Sequence, residues 1–209
     1  MTLGLFPLSL VLFPQSRISL HIFEPRYKAL IRECLERGLE FGINYFYDGH
    51  MQTVGCAAKV VEITTTYDDG RMDIIIEGVY RFSLLELAKS DAPYAVGEIE
   101  VLADEPLERV NKELLSSVLC NYNLVVTMVF GATAPTFSMN DFRETPSFDM
   151  APKCGLSDEQ KQNLISSSSE NERLQTLDAH LRQLLPAMQR AEKIQEFIQR
   201  DGYFRAIPS

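Results

Sequence analysis

Cysteine and histidine carry the most versatile chemistry in this chain, because thiolate and imidazole together can form a nucleophile with its base or hold a metal ion. Cys34, Cys56, Cys120 and Cys154 lie far apart, with no C-x-x-C pair among them. Zinc sites use closely spaced ligand pairs, and disulfide frameworks belong to shorter secreted chains, so four free thiols in a reducing compartment are expected. His21, His50 and His180 share no ligand spacing with one another or with the cysteines. A thiol–imidazole pair between Cys56 and either His21 or His50 is the one nucleophilic arrangement left open. Its alternative is an inert cysteine buried in a strand, which is the commoner case. No metal and no cofactor are expected.

Other catalytic signatures are missing. The chain has no G-x-x-x-x-G-K-[ST] phosphate loop, no G-x-S-x-G elbow, no S-x-x-K arrangement and no H-E-x-x-H, so ATP hydrolysis and the common peptidase chemistries have no support. The expected role is binding rather than catalysis. Tyr45, Phe46 and Tyr47 at a strand end, with Phe137, Phe142 and Phe148 in a proline-punctuated stretch, are the candidate contact residues. Exposed aromatic clusters of this kind mark protein-binding patches. The alternative for the second group is that its segment folds back over the core.

Composition narrows the partner. Of 209 residues, 45% are hydrophobic, 29 are acidic and 20 basic, for a net charge of -9. That balance opposes nucleic acid and anionic lipid. No run approaches the roughly 18 consecutive apolar residues of a membrane span, and the N-terminus has no basic n-region. A soluble, cytoplasmic protein that contacts no membrane is expected.

These residues need elements to position them. Up to Leu102 the pattern is one of strands. Asp69-Gly70 reads as a two-residue hairpin turn, preceded by the β-branched run from Val54 to Tyr67. It is followed by Met72, Ile74, Ile76, Gly78, Tyr80, Phe82 and Leu84 on alternate positions, with a bulge expected at Gly78. A second turn at Asp48-Gly49 joins the strand from Phe41 to Phe46 onto the same sheet, expected to be antiparallel and curled. Glu24 to Gly38 is the exception, an amphipathic helix with Pro25 in its first turn, Gly38 at its stop, and Tyr27, Leu30, Ile31, Cys34 and Leu35 inward. Arg81 falls out of phase with the apolar face and is expected at the surface.

After Pro106 the period changes to that of helices. A stripe from Leu107 and Val110 through Leu114, Leu115, Val118, Leu119, Tyr122, Val125 and Val126 to Val129 predicts a long helix ending near Gly131. Capping boxes at Ser157–Gln160 and Ser169–Glu172 mark two more starts. Leu174, Leu177, Leu181, Leu184 and Leu185 form a further stripe, which Pro186 should break or kink before Met188, Ala191, Ile194 and Ile198 continue toward Gly202. Residues 132–155, with Pro135, Pro146 and Pro152, are expected to be an irregular connection. The organisation is thus a β-rich unit over 1–105 and a helical unit of four or five helices over 106–209.

Several spaced motifs now agree with one family. Leu5-Phe6-Pro7-Leu8, Val11-Leu12-Phe13-Pro14 and Leu20-His21-Ile22-Phe23-Glu24-Pro25-Arg26-Tyr27, then Val54-Gly55, Val61-Glu62-Ile63, Asp69-Gly70-Arg71 and Gly78-Val79-Tyr80-Arg81-Phe82, resemble the N-terminal, substrate-selecting domain of Lon ATP-dependent proteases. Gln15 and Ser19 depart from it, standing where glycine and proline are common. The resemblance implies an α+β fold, a PUA-like pseudo-barrel with one packed helix followed by a helical bundle. It also implies a module that holds protein or unfolded polypeptide in proteostasis, here without ATPase or peptidase parts, with a protease or chaperone as a further partner. RNA binding through the PUA-like fold and a hydrolase with an unrecognised site are the alternatives. The sequence does not set the oligomeric state.

Overall fold

Turn chemistry organises the strands. At Asp48-Gly49 both residues have positive φ, 48° and 76°, the type I′ geometry whose twist suits a two-residue hairpin. It joins β3 (Phe41–Tyr47) to β4 (His50–Thr66). The next hairpin differs from the expected two-residue form. The Gly70 N–H donates to the Tyr67 carbonyl at 2.9 Å, and the Tyr67 N–H to the Arg71 carbonyl at 2.9 Å. Only Gly70 of the turn has positive φ, so the loop is Asp68-Asp69-Gly70, a tight turn closed by a left-handed glycine. Asp69 instead accepts from the Arg71 backbone N–H at 3.1 Å and its Nε at 2.6 Å.

The computed structural model describes residues 1–105, 109–134, 136–142 and 145–200, the side chains of 199 and 200 excepted. Its remaining elements are β1 (Thr2–Leu5), β2 (Arg17–Ile22), α1 (Pro25–Arg37), β5 (Met72–Ala88), β6 (Val96–Leu102), α2 (Lys112–Phe130), α3 (Pro146–Met150), α4 (Asp158–Ser166) and α5 (Glu170–Arg200). β5 pairs with β4 along its length, with β2 over its first half and with β6 over its second. Because β6 also pairs with β1 and β1 with β3, the strands β5-β4-β3-β1-β6 close into a ring. The pairing of β1 with β3 is parallel, so the sheet is mixed rather than wholly antiparallel. The crossover through β2 and α1 is what makes a parallel neighbour reachable. The register shifts between Ala57 and Ala58, which places the bulge beside Gly78 as expected.

The first loop presses on that bulge. The Gln15 N–H donates to the Gly78 carbonyl at 2.8 Å, and the Ser16 N–H to the Phe13 carbonyl at 3.2 Å. A side chain at Gly78 would put its Cβ 2.2 Å from the Phe13 carbonyl oxygen. Gln15 itself sits at φ 64°, where an ordinary side chain costs about 1–2 kcal/mol. Glycine there would escape that strain but would loosen the unfolded chain by about 0.5–1 kcal/mol. Gln15→Gly is therefore expected to raise the melting temperature by about 1–3 °C in thermal unfolding; a lower melting temperature would contradict the strain.

Helix α1 follows its sequence signals, with Pro25 first and Gly38 closing it at φ 65° while donating to the Cys34 carbonyl. Glu24 makes no side-chain cap and instead pairs with Arg26 at 2.7 Å. Tyr27, Leu30, Ile31 and Cys34 are buried, but Leu35 lies at the edge of the stripe and is exposed. Helix α2 starts later than the apolar pattern suggested, because Asn111 caps it by accepting from the N–H groups of Glu113 and Leu114; Pro106, Leu107, Pro135 and Gly202 lie outside the described residues. Its end at Gly131 is as read, although Val129 is exposed. By length and composition α2 could cross a membrane, but here Leu115, Val118, Leu119, Tyr122, Val125 and Val126 are spent on the core.

The capping box at Ser157–Gln160 forms with both reciprocal bonds. At the next start the Ser169 hydroxyl accepts from the Glu172 N–H at 3.1 Å. Helix α5 runs through Pro186 without interruption. Its first half buries Leu174, Leu177, Leu181 and Leu185, while Ile194, Phe197 and Ile198 stand exposed beyond the proline. One hydrophobic core crosses from strands to helices, joining Phe13, Ile22, Ile43 and Ile76 to Val118, Phe148, Leu174 and Leu181.

Candidate binding surface

Of the aromatic residues singled out by sequence, the β3–β4 hairpin presents three at its tip. Tyr47 is 68% exposed and Phe46 40%; Tyr45 is half-buried, stacked on Tyr47 with ring centroids 6.2 Å apart. Backbone bonds hold this tip. The Phe46 N–H donates to the Leu8 carbonyl at 2.8 Å and the Leu8 N–H to the Asn44 carbonyl at 3.0 Å, so the Leu5-Phe6-Pro7-Leu8 motif braces the hairpin. Helix α4 docks against the same strand pair, with Gln162 donating to the Val54 carbonyl at 3.0 Å. Burial, together with the charges of Asp158, Tyr47 and Glu159, raises the pKa of the Tyr45 hydroxyl, which is thus a neutral donor at physiological pH.

The 132–155 connection behaves otherwise. Asn123 of α2 clamps it by donating from Nδ2 to the Phe137 carbonyl at 2.8 Å while accepting from the Phe137 N–H at 3.0 Å. Phe137 stacks on Tyr122 at 5.6 Å, and Phe142 tilts onto Phe137 at 5.0 Å. Both are half-buried, with Met139 more open beside them. Residues 146–153 are not irregular but form α3 and a short 3-10 turn. Phe148, a candidate contact residue whose alternative is a place over the core, is 3% exposed, and Met150 beside it 0%. Phe148 packs on Phe13 at 5.6 Å and lies under the guanidinium of Arg173 at 4.3 Å, so it is a core residue. Among the described residues no ring contact joins the Tyr45–Tyr47 group to the Phe137–Phe142 group.

Arg81, expected at the surface, is buried. Its guanidinium donates to the carbonyls of Ile165 at 2.7 Å and Ser167 at 2.6 Å and pairs closely with Asp104. Asp104 also pairs closely with Arg173, which is fully buried and reaches Glu170 at 2.6 Å; Glu170 in turn accepts from the Ser147 hydroxyl at 2.7 Å. Among the described residues two cations and two carboxylates thus meet at the seam between strands and helices, each paired and hydrogen-bonded, the condition under which buried charge is tolerated. Burial lowers the pKa of the Arg81 guanidinium and raises that of the Glu170 carboxyl. No period-2 pattern could have placed Arg81, because its partners come from residues far along the chain.

The open catalytic arrangement does not form. Cys56 is fully buried, donates to the Ala57 carbonyl at 3.4 Å, and is pushed up to about 12 by burial, so it stays a thiol. His21 pairs with Asp73 at 2.5 Å, and His50 contacts the Asp48 carbonyl at 2.7 Å. His180 meets the Cys154 carbonyl at 2.9 Å. Around His21 lies an apolar group that sequence reading missed: Phe23, 58% exposed, and Tyr67 stand against its ring at 6.0 and 5.8 Å.

The model of the family described as the ATP-dependent protease La (LON) substrate-binding domain matches residues 2–183. The chain belongs to this family. The Lon protease of Parabacteroides distasonis is 27% identical over 143 residues, which are 64% of this chain and 17% of that protein, so the chain spans about a sixth of the length of this curated relative. The crystal structure of a Lon N-terminal domain protein from Xanthomonas campestris superposes with a TM-score of 0.65 at 26% identity, covering 86% of this chain and 98% of the other. The N-terminal domain of Mycobacterium avium complex Lon protease gives 0.64 at 13% identity, covering 87% and 98%, a likeness of fold alone. The family signature maps mainly to the core of this Lon-type domain, where Leu5, Phe6, Leu12, Phe13, Ile22 and Tyr27 are buried. Its α+β ring of strands with appended helices is the fold that the resemblance implied.

Proposed function

We propose that this Lon-type domain binds apolar segments of protein chains, unfolded ones above all, and that it holds them without cutting them. A protease or chaperone is the partner proposed to act on what it holds. The observation that carries this reading is the match to the substrate-binding family over nearly the whole described chain. The exposed Phe46 and Tyr47 on a braced hairpin support it. Large aromatic side chains fixed on a rigid element lose little entropy on contact and anchor interfaces well. The net charge of -9 favours protein over nucleic acid as partner.

The test is a binding titration by fluorescence anisotropy with a dye-labelled, permanently unfolded polypeptide. Phe46→Ala and Tyr47→Ala are each expected to weaken binding by about 1–2 kcal/mol, roughly 5- to 30-fold. Melting temperature should stay within about 1 °C, since exposed side chains contribute little to folding. Unchanged affinity in both variants would remove the hairpin tip from the binding surface.

A further inference from the structure

Strand β4 outruns its neighbour β3, which pairs with it only from His50 to Ala58. Among the described residues, the stretch from Lys59 to Thr66 has β5 on one side, no strand on the other, and no backbone bond on that outer side. Register tells which groups face outward. At one end Tyr67 donates to the Arg71 carbonyl across the hairpin. At the other, Gly78, the partner of Ala58, donates to the Ser16 carbonyl and accepts from the Gln15 N–H, away from β4. Because strand bonding alternates from residue to residue, Val60 and Thr66 turn outward, and so does Ile63 between them. These three stand opposite Ile76, Ile74 and Met72. The register shifts between Val60 and Glu62 and between Ile63 and Thr65 let three residues of β4 span two of β5. The outward N–H and C=O pairs therefore keep the repeat of roughly 6.6 Å that an ordinary extended strand matches.

A row of free backbone donors and acceptors is matched by another extended backbone. The side chains agree. Val60, Val61, Ile63, Thr64, Thr65 and Thr66 are β-branched, and 59–66 holds no proline or glycine. Edges are commonly blunted by lysine, but Lys59 turns across the sheet to Glu77 at 3.1 Å. Val60 and Ile63 share the face of buried Ile76 and Ile74, yet Ile63 is 44% exposed because no strand follows to cover it. On β2, the other free edge of this sheet, the outward positions are Arg17, Ser19 and His21, which offer no apolar row. The two bulges add twist to β4, which opposes pairing between two rigid copies but can be followed by a flexible chain. We infer that the outer edge of β4 takes an extended polypeptide segment as an added strand, bonded to Val60, Ile63 and Thr66. It selects segments with apolar side chains at alternate positions, which fall opposite Val60 and Ile63. This rests on the polypeptide-binding reading above and adds a second contact at the end of β4 remote from the hairpin tip.

The test uses the full chain and a labelled peptide, unstructured in solution, in which valine alternates with threonine or lysine, together with two N-methylated analogues. Methylation at the valines removes the N–H groups that would meet β4, and should weaken binding about tenfold or more. Methylation at the polar residues removes N–H groups that face solvent, and should leave affinity within about twofold. Ile63→Lys, which places a charge on the edge without removing a hydrogen bond, should weaken the parent peptide about three- to fivefold with unchanged melting temperature. Equal effects of the two methylation patterns, or no effect of either, would overturn the inference; if permanently unfolded polypeptide still binds the same preparation, the polypeptide-binding reading stands, and if it does not, both fall. Self-association without peptide that Ile63→Lys abolishes would give the edge to a second copy of the chain and overturn the inference as well.

Discussion

Replacing Arg173 by alanine is expected to lower the free energy of unfolding by about 3–5 kcal/mol, the cost of removing one partner from a buried charge network. Arg173 is fully buried, and its guanidinium meets Asp104, Glu170, the Ser147 hydroxyl and the Ser167 carbonyl. Without it Glu170, which is also buried, loses the Arg173 guanidinium, and Asp104 loses one of the two arginines that pair with it. The Glu170 carboxyl, already raised by burial, would then hold its proton to still higher pH. The Phe148 ring would lose the cation over its face as well. Chemical denaturation at neutral pH checks this, and a loss below about 1 kcal/mol would mean that the network behaves as surface charge does.

Phe148→Ala is expected to cost about 3–5 kcal/mol of stability, as truncation of a buried phenylalanine does, while the fraction that stays folded binds polypeptide as before. Phe13, Arg81 and Arg173 surround the ring, so the cavity left behind is lined by side chains fixed by other bonds and has little freedom to collapse. Tyr47→Ala should show the opposite pattern, with weakened binding and unchanged stability. Denaturation and anisotropy on these two variants therefore separate core from contact surface. A stable Phe148→Ala protein with impaired binding would return this residue to the surface.

The contrast between these two aromatics shows what the sequence made legible. Strand alternation, Pro25 and Gly38 around α1, the Asp48-Gly49 turn and the Ser157 capping box are local signals, each satisfied within a few residues, and the structure uses each as read. Phe148 is open between contact surface and core at the level of sequence because prolines at 146 and 152 look like loop punctuation, yet Pro146 opens α3 at a first-turn position that proline tolerates. Arg81 failed because burial of a cation depends on Asp104 and on the carbonyls of Ile165 and Ser167, partners that no short window contains. At Pro186, read as a break or a kink, no break occurs, since α5 continues through it despite the lost N–H. The hairpin-tip aromatics were accessible to sequence reasoning because turn and aromatic cluster lie together.

Binding of an unfolded chain by the intact protein tests the central claim most directly. A labelled polypeptide is titrated in two states, native and permanently unfolded by reduction and alkylation, and the mixture is then analysed for cleavage. Saturable binding of the unfolded state, at least tenfold tighter than the native one, with the polypeptide recovered intact, is the expected result. Equal affinity for both states, or no binding to either, would contradict it.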